Sequence, residues 1–136
     1  MALVIDLKPG EKILIGTAVI TNDSNRTRLH IAGDAAILRE KDVMQEEEAN
    51  TPCKKVYFLI QCMYLARDPR AYHQKYFELV REIQHASPSS AIFFMQINEK
   101  IICDHYYKAM KLGKELIEHE RELIENAVKQ AATAAK

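Results

Sequence analysis

The sequence predicts an α+β protein: a small antiparallel β part comes first, and a helical part of about four helices follows. Three observations carry this reading. β-Branched runs alternate with turn signals before residue 45. All ten aromatic residues lie between Tyr57 and Tyr107, and none occurs in the first 56 positions. A capping residue precedes proline at Thr51-Pro52, Asp68-Pro69 and Ser87-Pro88, the pattern of helix starts. The 136 residues suffice for one domain, or for a small domain with an appended helical part.

In chain order, "ALVIDL", "KILIGTAVIT", "RTRLHIA" and "AAILRE" read as strand-forming runs, separated by "KPGE", "NDSN" and "GD". Thr27, Leu29 and Ile31 alternate with Arg28 and His30, as in a half-buried strand. This assigns residues 1–45 to the β part. Residues 46–50, within the acidic stretch "DVMQEEEAN", read as an exposed linker, and residues 51–136 as the helical part. Helices are expected at about 52–66, 69–85 and 88–98, because proline at a first helical position forfeits no intrahelical hydrogen bond. In the second, Tyr72, Tyr76, Leu79, Val80 and Ile83 share a face suited to a core. From Glu99 a long helical pattern runs past Lys129, with Gly113 as a candidate kink. Leu116 and Ile117 recur seven residues later as Leu123 and Ile124, a narrow seam that fits either a partner helix or the protein's own core.

Nineteen Lys and Arg balance nineteen Asp and Glu, so no global field draws the chain to a polyanion. Over residues 1–45 six basic residues meet six acidic ones. The longest charge-free apolar stretch, "VYFLIQCMYLA", is too short to span a bilayer, and "MALVIDLKPGEK" lacks the basic start of a signal peptide. The expectation is a cytoplasmic protein without membrane association. Cys53, Cys62 and Cys103 form no CxxC pair, in keeping with a reducing compartment. Glycine-rich phosphate loops, GxSxG, HExxH and Cys/His clusters at metal spacing are absent from the sequence. A non-enzymatic role without cofactor, metal or catalytic residues is therefore expected.

The stretch "LVIDLKPGEKILIG", Leu3 to Gly16, together with Leu38-Arg39-Glu40, resembles the N-terminal hairpin and last strand of the CsrA/RsmA family of mRNA-binding translational regulators. In that family the first strand of one subunit lies beside the last strand of its partner, and basic residues there hold an exposed GGA-type RNA loop. Arg39 matches the family's strand arginine, whereas its first-strand arginine falls on Leu7, with Lys8 beside it. A longer resemblance runs from about residue 3 to 125. "LKPGEK", "LREKDVM", "EEANTP", "YFLIQCMYL" and "YYKAMK" follow the order of the FlbT family of flagellar biosynthesis regulators, and "ILREKDVMQEEEANTP" is the most specific run.

The FlbT resemblance implies association with the 5′ untranslated leader of flagellin mRNA, altering its translation and decay, and a functional pairing with the regulator FlaF. The residues that fit an RNA contact are Lys8, Lys12, Arg28, Arg39 and Lys41, with Arg26 beside them. The strands carry no aromatic side chain on which bases would stack. Leu116, Ile117, Leu123 and Ile124 are the candidate partner-binding residues. The alternative is a helical adaptor that binds flagellin or FlaF without touching RNA. An exposed first or last strand also offers an edge for a symmetric homodimer.

Overall fold

The structure, a computed structural model, describes residues 2–134. It divides into two compact units, one reaching to Val43 and the other starting at Met44.

The first unit contains five strands: β1 (Ala2–Leu7), β2 (Lys12–Ile15), β3 (Ala18–Thr21), β4 (Thr27–Ala32) and β5 (Ile37–Arg39). They form two small antiparallel sheets, β1-β4 and β3-β2-β5. The run "KILIGTAVIT" is therefore two strands, not one, because Gly16 at φ 60° turns the chain between them. Glycine adopts that left-handed backbone without a Cβ penalty. Strand alternation sends Ile5 and Leu7 of β1 inward, where with Ile13 they form a core joined by Ile15, Leu29, Ile31 and Ile37. The Asn22 side-chain amide donates to the carbonyls of Leu7, Lys8 and Asn25 at 3.1, 3.0 and 2.7 Å, pinning the β1–β2 turn to the β3–β4 loop. A 3₁₀ turn at Glu40–Asp42 closes the unit.

In the second unit, Glu46–Glu48 form a 3₁₀ turn closed by a capping box between Gln45 and Glu48. The acidic stretch is thus ordered and belongs to the helical unit. Four α-helices follow: α1 (Pro52–Leu65), α2 (His73–Ala86), α3 (Ala91–Ile102) and α4 (Tyr106–Ala134). Thr51 caps α1, its hydroxyl accepting from the Lys54 N–H at 3.3 Å. Asp68 and Ser87 give no side-chain cap; the prolines after them open short 3₁₀ turns, Pro69–Tyr72 and Pro88–Ser90, that lead into α2 and α3. Tyr76, Val80 and Ile83 are buried, as the shared face of α2 predicts, while Tyr72 and Leu79 are half-buried.

The α3 helix runs to Ile102 instead of ending near residue 98, and the break before α4 falls at Cys103–His105, where Asp104 takes φ 61°. Aspartate tolerates that conformation better than most residues, so the chain turns there without glycine or proline. Gly113 lies inside continuous helix and is buried. A Cβ at that position would stand 3.3 Å from Tyr57 Cδ2 and 3.9 Å from Ile60 Cδ1, so glycine there lets α4 approach α1 closely. The same helices meet again where Glu120 accepts from the Cys53 N–H at 3.0 Å and from the Thr51 hydroxyl. Rising numbers on α4 thus match falling numbers on α1, and the pair is antiparallel.

Replacing Gly113 with leucine inserts a branched side chain into the α1–α4 contact. Gly113→Leu is expected to destabilise the protein by about 1–3 kcal/mol, the usual cost of overpacking, read as a lower urea midpoint. An unchanged or raised midpoint contradicts the close approach.

Candidate nucleic-acid interface

The β unit gathers its arginines around one carboxylate. Asp6 and Arg28 stand opposite each other in the β1–β4 register, and Arg28 Nε donates to Asp6 Oδ1 at 2.9 Å. Arg39, at the end of β5, reaches β1 and donates from Nη2 to the Asp6 carbonyl oxygen at 3.1 Å. Its guanidinium also stands 3.9 Å from Glu11 Oε2. The Asp6 carboxyl is held below its ordinary pKa, chiefly by the Arg28 hydrogen bond and also by the charges of Arg28, Arg26 and Arg39. Two arginines distant in sequence, Arg28 and Arg39, therefore contact Asp6, and the charge of Arg26 adds to theirs.

The lysines lie close by in the topology. Ile13 pairs with Arg39, so the start of β2 lies beside the end of β5, and the Lys12 backbone N–H donates to Glu40 Oε2 at 3.2 Å. Lys41 follows Glu40. Lys8 sits in the turn after β1, its N–H donating to Glu11 Oε1 at 3.0 Å. Lys8, Lys12, Arg26, Arg28 and Lys41 are exposed, and Arg39 is half-exposed. The same unit carries six carboxylates, Asp6, Glu11, Asp23, Asp34, Glu40 and Asp42, so the six cations are balanced over the unit. Within that balance Arg28 and Arg39 are brought together on Asp6.

The arginines differ in how firmly they are held. The Arg28–Asp6 pair has side chains 65% and 53% exposed, so water screens it and it yields easily to a competing anion. Arg39 is held by one carbonyl and a long ion pair, and its Nε–H is buried without a hydrogen-bond partner.

The candidate partner-binding seam divides. Leu116 is fully buried within the helical unit, which corrects its assignment as a docking residue: it points into the core instead of outward. Ile117 is half-buried, whereas Leu123 and Ile124 are exposed.

A polar cluster at the start of α2 is assembled from residues that no sequence motif links. Tyr106 donates to Asp104 Oδ1 at 2.9 Å, Arg70 Nη2 donates to Asp104 Oδ2 at 3.3 Å, and His73 Nε2 lies 2.9 Å from the Tyr106 oxygen. Since the Tyr106 proton is committed to Asp104, His73 is the donor to that oxygen. Burial, reinforced by Asp104, pushes the Tyr106 hydroxyl up to about 12, which makes it no base at neutral pH. The cluster ties α2 to the α3–α4 turn. In the sequence only the proline before Arg70 marks this region, since the helix break at Asp104 carries no local signal.

A cleft of about 650 Å³ in the helical unit is lined by residues that include Phe58, Leu59 and Leu79, and by both lysines and glutamates, so it offers no field of one sign. Among the described residues, no group of three or more His, Cys, Asp or Glu side chains is placed to hold a metal ion. No helix among them is long and apolar enough to cross a membrane.

These features define a class: a two-unit α+β protein, strands before helices, whose strand unit concentrates arginines around a single carboxylate. The chain belongs to the FlbT family, described as "Flagellar protein FlbT", which matches residues 3–124. It is 46% identical over 124 residues to the "Probable flagellum biosynthesis repressor protein FlbT 1" of Bradyrhizobium diazoefficiens, covering 90% of this chain and 85% of the relative. The corresponding "Probable flagellum biosynthesis repressor protein FlbT" of Rhodopseudomonas palustris (strain TIE-1) is 43% identical over 124 residues, 91% of this chain and 98% of its own. The "Flagellum biosynthesis repressor protein FlbT" of Caulobacter vibrioides (strain ATCC 19089) is 32% identical over 125 residues, 90% and 89% of the two chains. No solved structure matches the chain.

The Tyr106 hydrogen bond is the largest cause of the lowered Asp104 pKa. Tyr106→Phe is therefore expected to raise that pKa toward 3.8, read by NMR titration of the carboxyl carbon. For a carboxyl whose pKa is depressed on folding, stability is present above the unfolded pKa and lost as pH falls through the folded one. The wild type should accordingly lose this contribution only below about pH 4, and the variant should keep only the part that Arg70 supplies. An Asp104 pKa unmoved by the substitution contradicts the cluster.

Proposed function

We propose that this protein regulates flagellum synthesis post-transcriptionally, acting in the cytoplasm, by binding the 5′ untranslated leader of flagellin mRNA through its β unit. The family and the names of the relatives, flagellum biosynthesis repressors, support a regulatory role in flagellar synthesis. The observation that supports the RNA reading is the contact of Arg28 and Arg39 with Asp6 at the edge of the strands.

A phosphate approaching this cluster competes with Asp6 for Arg28, an exchange between two exposed anions that costs little. Lys8, Lys12 and Lys41 add point charges that position the backbone without reading sequence. Arginine forks and strand-edge main-chain groups are the base-reading devices available, and they suit unstacked bases in a single-stranded loop. With no aromatic residue before Tyr57, stacking contributes nothing in the β unit, and affinity rests on charge and hydrogen bonds. Binding should therefore weaken steeply with salt.

The test is a titration of the purified protein with labelled flagellin leader and a scrambled control, at two salt concentrations. Arg28→Ala and Arg39→Ala are each expected to weaken binding by about tenfold and to lower the salt slope by about one. Asp6→Asn removes the competing carboxylate and should tighten binding. Arg28 is the more informative position for stability, because its exposed pair leaves the fold intact when removed. Leader affinity unchanged in both arginine variants, together with salt-independent binding, would overturn the proposal.

A further inference from the structure

Arg28 is not alone on its side of β4. Side chains alternate along a strand, so Leu29 and Ile31 turn to the core while Arg28 and His30 stand on the solvent side, where both are exposed. The register with β1 fixes their neighbours. Arg28 faces Asp6, and His30 faces Val4, which is 50% exposed and brings no charge or hydrogen-bonding group. Arg26, two residues ahead of Arg28 and also exposed, is close enough for its charge to act on Asp6. Arg26, Arg28 and His30 thus follow one another at two-residue steps, each about 7 Å along an extended chain. One nucleotide of an extended single strand covers a similar length.

The members of this row are held differently. Arg28 is tied to the Asp6 carboxylate, whereas His30 has no hydrogen-bond or ion-pair partner among the described residues. Although the unit as a whole is balanced in charge, Asp6 is the one carboxylate within β1 and β4. Asp23 and Asp34 lie in the loops that flank β4, so the row is short and ends at an acidic residue on either side.

We propose that the RNA backbone lies along the solvent side of β4, with His30 donating to the phosphate next to the one held by Arg28, so that protonation of His30 regulates the strength of binding. This rests on the RNA reading above and adds to it a contact, a path for the backbone and a control. A neutral imidazole donates one N–H, and the charged ring donates two and adds an ionic contact. Phosphate favours the charged ring, so the complex takes up a proton there and binding tightens as pH falls through the range in which histidine titrates. The charged groups on the same side are Arg26 and Arg28 ahead of His30 and Asp6 across the ladder. Phosphodiesters keep their charge over this range, and the other four histidines, His73, His85, His105 and His119, all belong to the helical unit.

The test is a titration of the full chain with labelled flagellin leader at about pH 6 and about pH 8. It compares the wild type with Arg28→Ala, His30→Gln and His30→Lys, circular dichroism confirming that each variant is folded. The wild type is expected to bind several-fold tighter at the lower pH. His30→Gln keeps a donor and lacks the charge, so it should match the wild type at the higher pH and lose the gain at the lower. His30→Lys should bind tightly at both, with a salt slope steeper than that of the glutamine variant by about 0.7, the share of one phosphate on a single strand. A wild type indifferent to pH, a gain kept in full by His30→Gln, or a lysine variant that binds no better than the glutamine variant overturns the proposal. If Arg28→Ala still weakens binding in those cases, the RNA reading itself stands. A wild type with no affinity for the leader at either pH overturns both.

Discussion

The helical unit is organised by the burial of α1 on more than one side. Cys53, Val56, Tyr57, Leu59, Ile60, Gln61 and Met63 are all buried, which is more of a helix than one stripe can account for. Both α4 and α2 pack on it. Two features hold the α4 side: the missing Cβ at Gly113, which admits Tyr57, and the Glu120 carboxylate, which satisfies donors at the α1 N-terminus that have no intrahelical partner. Burial and the neighbouring Glu120 also push the Cys53 thiol up to about 12, so it stays protonated and behaves as a small apolar core residue. The antiparallel pairing then sets a length mismatch, because α4 has 29 residues and α1 has 14. The exposed tail is what remains of α4 once α1 has run out.

The β unit works under a different constraint. It has no aromatic side chain with which to fill a core, so Ile5, Leu7, Ile13 and their aliphatic neighbours do so alone. Polar cross-links supplement this small core: the Asn22 amide on three carbonyls and the Arg39 guanidinium on the Asp6 carbonyl. Asp6 consequently has two roles. Its backbone anchors Arg39 and its carboxylate orients Arg28, which keeps the arginines together at the expense of part of their charge. A unit with as many acidic as basic residues can in this way keep two arginines side by side.

Much of this was legible in the sequence where the governing interaction is local. The strands-then-helices order followed from β-branched runs, turn residues and three proline-marked starts. Proline fits the first turn of a 3₁₀ helix as well as that of an α-helix, so Pro69 and Pro88 could not reveal the short turns ahead of α2 and α3. The break at Asp104 was missed because aspartate signals a left-handed residue far more weakly than glycine. Gly113 read as a kink, since the Tyr57 ring that explains it lies 56 positions away (113 minus 57). Arg28 and Arg39 could be named as cations, yet Asp6 is 22 and 33 positions from them, and no local pattern pairs residues at that distance. Leu116 and Leu123 share a heptad position, and only the length of α1 decides that one is core and the other surface.

The measurement that most directly tests the central claim, an arginine-based RNA surface on the β unit, is two-dimensional NMR of the arginine Nε–H groups during titration with flagellin leader RNA. The Nε–H of Arg39 is buried, so its signal reports any displacement of the guanidinium from Asp6. The account expects saturable shifts at Arg26, Arg28 and Arg39, while the methyl signals of Leu123 and Ile124 stay in place. Shifts confined to the helical unit, with the three arginine signals unmoved, would contradict it.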